Sequence, residues 1–360
     1  MSTHFHELIV KRVTPETADS AAITLDVPQA LLDAFNFKPG QFLTLRATID
    51  GQVQRRSYSI CSSHTQYSRA HELEVGIKRV EGGVFSRWAT TRLKSGDTLE
   101  VMPPDGRFTP RLTGPVHRAG FAAGSGITPM LSIIATTLEA DKGSSFTLVY
   151  GNQRISSIMF NETLQDLKDR FASRFTLMHV LSRQPQEAAL FNGRLDTARV
   201  AALLQTALPA ASIDEAFICG PAGMIDATEL ALQQAGIARD RIHTERFFAD
   251  GATPEPRTPT TRPPGAQPAF QLDVVIDGKT HHFGMDAADR LLDVALDGGL
   301  DLPYSCKGGV CCTCRAKVLE GKVEMDHNYT LEPWEVDKGF VLTCQARPLT
   351  AKVVVSYDER

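Results

Sequence analysis

The 360-residue sequence has no uninterrupted apolar run of about 18 residues, so nothing in it is long enough to cross a bilayer as a helix. Its start, MSTHFHELIVKR, lacks the apolar core and small-residue cleavage site of a secretory signal, which places the expected location in the cytoplasm and off the membrane. It also lacks an excess of basic charge. With a formal net charge of −4 there is no basic stripe of the kind that tracks a phosphate backbone, and nucleic acid is excluded as a general partner. Cysteine is scarce, seven in all, and the odd count in a reducing compartment speaks against a disulfide framework. The cysteines then call for metal binding or catalysis. Four of them crowd into nine positions, CKGGVCCTC at 306–314.

What is present is enough apolar sequence, 42%, for more than one core, and at this length two or three domains are expected. Residues 1–112 carry short alternating runs, FLTLRATI and LEVGIKRV among them, punctuated by PG, DG, GG and PPDG. This pattern predicts antiparallel strands closing into a barrel. From 113 to 248 strand and helix patterns alternate: AGFAAG, PMLSIIATTLEA, FTLVYG, NETLQDLKD, RFTLMHVLS, LDTARVAALLQTAL, EAFICG and AGMIDATELALQQAG. Such βαβα order predicts an α/β domain built on a parallel sheet. Residues 249–268 hold six prolines and few apolar side chains, and read as a semi-stiff extended linker. The last segment, 269–360, has fifteen Asp and Glu against ten Lys and Arg. An acidic, cysteine-bearing module on a tether suits a part that moves between partners.

Three constellations carry chemistry. Cys306, Cys311 and Cys314 are spaced C-x4-C-x2-C, and Cys344 follows after 29 intervening residues, which is the plant-type [2Fe-2S] spacing. Gly308 and Gly309 let the loop turn its N–H groups toward the sulfurs. A structural zinc site also uses four cysteines, but zinc ribbons pair two close knuckles, whereas here three cysteines share one loop. Cys312 has no ligand role in this spacing and reads as a small packed residue. The second constellation is Arg56, Ser57, Tyr58 and Ser59 in RRSYSICSS, followed by Gly82, Gly83 and Ser86. An arginine can pair with a pyrophosphate, a tyrosine ring can lie against a flat ring system, a hydroxyl can reach the edge of that ring and a helix start suits phosphate; the family resemblance given below implies that the group so held is a flavin. Taken alone, a strand tyrosine is a packing residue. The third is AAGSGITPML, where Gly124 and Gly126 free the backbone to approach a pyrophosphate and Thr128 and Pro129 open a helix. Arg154 and Ser182-Arg183 follow two later strands at their carboxyl ends, where an adenosine ribose would sit. No acidic residue ends either strand to claim a free 2′-hydroxyl, so NADPH is expected, with NADH as the alternative. Two other groupings are set aside. Glu324-Met325-Asp326-His327 is a single E-x-x-H where a di-iron bundle needs two, and His281-His282 fits the edge of a strand.

R-x-Y-S on a barrel, together with Cys219-Gly220-Pro221-Ala222-Gly223, resembles the ferredoxin-NADP reductase superfamily. The order of barrel, nucleotide domain, linker and C-terminal plant-type ferredoxin resembles the reductase components of multicomponent oxygenases. FKPGQFLTLRA, EAFICGPAGM and DLPYSCKGGVCCTCRAKVLEGKVEM are similar to the reductase subunits of ring-1,2-phenylacetyl-CoA epoxidases. The resemblance implies a β-grasp fold for the last domain and FAD over FMN as the flavin. It places Cys219, Gly220 and Pro221 beside the nicotinamide, with Cys219 near the flavin N5 and Glu245 near the hydride path. It further implies a di-iron oxygenase component as electron acceptor, in phenylacetate catabolism. A reductase for a Rieske-type oxygenase and a redox-sensing iron–sulfur module are the other readings.

Overall fold

The computed structural model describes residues 4–247 and 268–359, in two compact units, Met1–Glu245 and Arg246–Arg360. The proline-rich segment read at 249–268 lies outside the described residues apart from Pro268. Among the described residues no helix is long and apolar enough to cross a membrane.

The first unit begins with six antiparallel strands, β1 (His6–Thr17), β2 (Ser20–Asp26), β3 (Phe42–Ile49), β4 (Gln52–Ser59), β5 (Glu72–Lys78) and β6 (Thr98–Val101), ordered β4-β3-β6-β1-β2-β5. The two ends of this sheet meet just past β4. Ile60 bridges Val75, and the Cys61 N–H donates to the Glu74 carbonyl at 2.7 Å. The inward residues of the alternating runs, including Leu8, Val10, Ile23, Leu25, Leu43 and Leu45, form its core. Helices α1 (His64–Ala70) and α2 (Val84–Thr91) interrupt the strands.

The chain then builds five parallel strands, β7 (His117–Ala123), β8 (Ser145–Asn152), β9 (Phe175–Leu181), β10 (Glu215–Cys219) and β11 (Ile242–Glu245), ordered β11-β10-β7-β8-β9. Between them run α3 (Ile127–Ala140), α4 (Asn161–Arg170), α5 (Thr197–Thr206) and α6 (Ala222–Gln234). Strand order reverses between β7 and β10. The loops leaving those two strands therefore diverge at their carboxyl ends and open the crevice in which such sheets bind nucleotides. Helix α3 starts two residues before Pro129, because a proline in the first turn sacrifices an N–H that has no intrahelical partner.

The second unit is a mixed five-stranded sheet with a helix packed on it, the β-grasp arrangement. Its strands are β12 (Phe270–Ile276), β13 (Lys279–Met285), β14 (Arg315–Glu320), β16 (Phe340–Leu342) and β18 (Lys352–Ser356), ordered β13-β12-β18-β14-β16; β15 (Val323–Met325) pairs with β17 (Ala346–Pro348). Leu291, Leu292 and Ala295 of α7 (Leu291–Asp297) enter its core, and α8 (Pro333–Asp337) precedes β16. His281-His282 sits on the edge strand β13, where His282 pairs with Asp273 at 2.7 Å. Asp326 of the E-x-x-H run is taken up by Arg290 and Arg347.

Candidate active site and iron–sulfur site

Strand β4 delivers the R-x-Y-S residues with burial rising along it: Arg56 is exposed, Ser57 and Tyr58 are half-buried, and Ser59 is buried. Ser57 shares a hydrogen bond with Thr44 at 3.1 Å. The Tyr58 ring lies 5.6 Å from that of Phe85, and burial pushes its phenol well above the ordinary range. The Ser59 hydroxyl donates to Glu245 Oε2 at 3.3 Å. Glu245 closes β11 directly opposite Cys219 at the end of β10. Ser59, Cys219 and Glu245, drawn from three distant segments, thus converge where the barrel meets the parallel sheet. Burial raises the Glu245 carboxyl to about 8 against the opposing Ser59 hydrogen bond, and burial, then Glu245, raises the Cys219 thiol.

Gly82, at φ +71°, has open space where a side chain would project, and Gly83 caps α2. Ser86 is the third residue of α2, and its hydroxyl turns back to accept the Val80 N–H at 3.1 Å. Its side chain braces the glycine turn at the start of α2, where the first backbone N–H groups of a helix have no intrahelical acceptor.

Gly124, at φ +54°, also faces open space. Gly126 is required for a different reason: a Cβ there would fall 2.0 Å from the Cys219 carbonyl oxygen. Only glycine lets the loops that leave β7 and β10 approach so closely. Thr128 donates its hydroxyl to the Ser125 carbonyl at 3.0 Å, and Pro221 caps α6. Gly220 packs on Met224. Arg154 and Arg183 are exposed on adjoining chain segments, since the Ser182 and Arg183 N–H groups donate to the carbonyls of Asn152 and Gln153, each at 2.9 Å. Sequence reasoning missed Tyr150, whose hydroxyl holds the Gly124 carbonyl at 2.8 Å. A tyrosine inside an otherwise apolar strand, which must find a partner for its hydroxyl, was the available signal.

In the second unit the sulfurs fall into two pairs. Cys306 is lowered to about 6, first by its hydrogen bond with Cys311, and Cys344 is lowered first by its bond with Cys314. Among the described residues no set of three His, Cys, Asp or Glu donors closes around a single ion. Two dithiol pairs side by side suit a two-iron cluster, with one pair for each iron. The loop turns through positive φ at Lys307, Gly309 and Cys312, and the Gly308 N–H points at Cys306 Sγ, 3.3 Å away. The buried Ser305 hydroxyl has no partner among the described residues, which leaves a donor free for cluster sulfur. Cys312 instead lies 3.4 Å from Thr330 Oγ1. The four cysteines fit the cluster, and the Arg56–Ser59 strand, glycine turn and glycine loop fit a flavin and a dinucleotide.

The family "Oxidoreductase FAD-binding domain" matches residues 7–109, "Oxidoreductase NAD-binding domain" residues 121–230, and "2Fe-2S iron-sulfur cluster binding domain" residues 274–349. A 1,2-phenylacetyl-CoA epoxidase subunit from Escherichia coli strain K12 is 45% identical, with 99% of both chains covered. The chain belongs to the family of oxygenase reductases that contain FAD and a [2Fe-2S] cluster. The ferredoxin reductase component of a 3-ketosteroid-9-alpha-monooxygenase from Rhodococcus rhodochrous is 37% identical over 97% of this chain and 96% of its own. Phthalate dioxygenase reductase shares the fold, with a TM-score of 0.60, 22% identity and 98% of each chain covered. This reductase is therefore an NAD(P)H-dependent oxidoreductase that passes electrons through FAD and a [2Fe-2S] cluster to an oxygenase component.

Proposed function

We propose that this reductase serves a phenylacetyl-CoA epoxidase, taking electrons from NADPH in the cytoplasm and delivering them to a di-iron oxygenase partner. The end-to-end 45% identity to the Escherichia coli epoxidase component carries this reading.

When bound, the flavin accepts a hydride and releases electrons singly, and the cluster relays them one at a time. The chain's own residues do the rest. Arg56 and the start of α2 hold the flavin phosphates, Tyr58 covers its ring, and the Gly124–Thr128 loop and Gly220-Pro221 seat the nucleotide. Cys219, buried and protonated, excludes water where the nicotinamide lies. Ser59 holds the Glu245 carboxyl in place. The nicotinamide gains positive charge as it gives up hydride, so ionised Glu245 favours transfer. With the carboxyl near 8, the flavin-reduction rate is expected to rise with pH through that value. The Glu245→Gln variant should show a flat profile in stopped-flow measurements over the same range.

Arg183, and Arg154 beside it, would hold the 2′-phosphate of NADPH. Losing one charge-assisted bond costs about 1.5–3 kcal/mol, so Arg183→Ala should raise the Michaelis constant for NADPH by roughly 10- to 100-fold while barely moving that for NADH. Equal effects on both nucleotides would remove the assignment. Reconstitution tests the partner. Epoxidase oxygenase subunits should consume phenylacetyl-CoA when this reductase and NADPH are added. Turnover with a 3-ketosteroid oxygenase alone would favour the second reading, which rests on the 37% identity to its reductase component.

A further inference from the structure

Gly76 sits in the middle of β5, the strand that closes the barrel. A Cβ at this position would lie 2.6 Å from Thr128 Cγ2 and 2.7 and 2.9 Å from two carbons of the Phe160 ring, both on the parallel-sheet lobe of the same unit. The two lobes therefore meet at Gly76 with no room for a methyl group. On the barrel side, β5 is bonded to the end of the R-x-Y-S strand through the Ile60–Val75 bridge and the Cys61–Glu74 hydrogen bond. On the other side, Thr128 lies in the first turn of α3, directly after the Gly124–Gly126 turn. One contact thus joins the candidate flavin strand to the candidate nucleotide loop.

A second contact fixes the Phe160 half of the seam. The Phe160 N–H donates to Glu16 Oε2 of β1 at 2.8 Å, from the barrel to the residue that caps α4. Phe160 is fully buried at φ +56°, a conformation that a bulky side chain adopts only when its surroundings impose it. Glu16 is half-buried at this boundary, and burial raises its carboxyl with the Phe160 N–H opposing.

We propose that Gly76 is a positioning residue that sets the spacing between nicotinamide and flavin, with the Glu16–Phe160 hydrogen bond as its latch. The inference rests on the flavin and nucleotide reading above. The reaction it governs moves one hydride, a proton with two electrons, from the nicotinamide ring to the flavin, oxidising the nucleotide and reducing the flavin by two electrons. A displacement of about 1 Å between reacting groups costs on the order of 100-fold in rate. A methyl group at position 76 forces Thr128 and Phe160 to withdraw by several tenths of an ångström.

The test is Gly76→Ala, prepared with flavin and cluster and read by stopped-flow flavin bleaching under saturating NAD(P)H. The expected result is a loss of about 10- to 100-fold in the reduction rate, with nucleotide affinity changed by less than about threefold. Amide hydrogen exchange in the Gly124–Thr128 loop should quicken in the same variant, a readout that needs no turnover. The Gly76→Ala/Thr128→Ser double variant deletes one of the three close contacts and should recover part of the rate, the Phe160 ring carbons still lying 2.7 and 2.9 Å from the added methyl. A Gly76→Ala rate within about twofold of the parent, or a loss that Thr128→Ser leaves untouched, overturns the proposal. If Gly76→Ala does not fold, Glu16→Ala decides. Slower reduction at unchanged nucleotide affinity supports the latch, and an unchanged rate overturns it. Should the parent protein fail to reduce its flavin with NAD(P)H, the site reading itself falls, and the loop-exchange comparison still shows whether Gly76 governs the seam.

Discussion

Cys344→Ala is expected to abolish electron delivery to the oxygenase while leaving reduction of the flavin by NAD(P)H within about threefold of the parent rate. Cys344 is one half of the Cys314–Cys344 pair, so its loss strips one iron of half its protein ligands. The surrounding scaffold does not depend on its sulfur. Thr343 binds the Cys314 carbonyl through both its N–H, at 3.2 Å, and its hydroxyl, at 2.9 Å, and Gln345 Nε2 donates to the Lys307 carbonyl at 2.8 Å. The hydroxyl of Tyr357 hydrogen-bonds Thr343 in turn, at 2.7 Å. The variant should therefore fold, lose the [2Fe-2S] absorption and electron paramagnetic resonance signals, and still bleach its flavin when mixed with NAD(P)H. Loss of flavin reduction instead would show that the two units do not divide the work as assigned.

Glu215→Ala should destabilise the first unit by about 3–5 kcal/mol, because it leaves a buried arginine without its counter-charge. Glu215 lies at the start of β10, almost wholly inaccessible, 2.8 Å from Arg118 Nε. Its Oε1 also accepts the N–H groups of Arg111, at 2.8 Å, and Leu112, at 3.2 Å, in the segment that joins barrel to parallel sheet. Arg118 in turn donates to the Leu112 carbonyl at 2.6 Å. Burial opposes ionisation of this carboxyl, but the hydrogen bonds from His243, Arg111 and Arg118 outweigh it and hold its pKa at about 2. A depressed carboxyl contributes stability above its ordinary pKa of 4.5 and loses that contribution as pH falls toward about 2. The gap in melting temperature between parent and variant should be full at neutral pH, about 6–20 °C for a unit of this size, and should narrow on acidification below the ordinary carboxylate range. A constant gap at every pH would show that packing alone, and not the ion pair, is lost.

Glu215 also marks a limit of sequence reading. EAFICG was recognisable as a strand from its apolar run, but an acidic residue at a strand start looks like any exposed carboxylate. Its partner Arg118 lies 97 positions earlier and carries no periodic signal. Tyr150 and Gly76 escaped notice for the same reason, since their importance comes from what the fold sets against them.

The chain order of barrel, parallel sheet and cysteine module is written in local patterns. Alternation of period two, helical periods between apolar strands, glycine turns and the C-x4-C-x2-C spacing each involve residues close in sequence, so they survive without knowledge of the fold. The cysteine loop is the clearest case, because three of its four candidate ligands lie within nine positions and only Cys344 must be brought from elsewhere. Tertiary structure alone decided that Ser59 meets Glu245 across 186 residues, that Gly126 must be a glycine because Cys219 passes within contact of it, and that two lobes touch at Gly76. These depend on which backbone segments pack together. Packing is set by the summed burial of whole strands and helices, and no short window of sequence contains that sum.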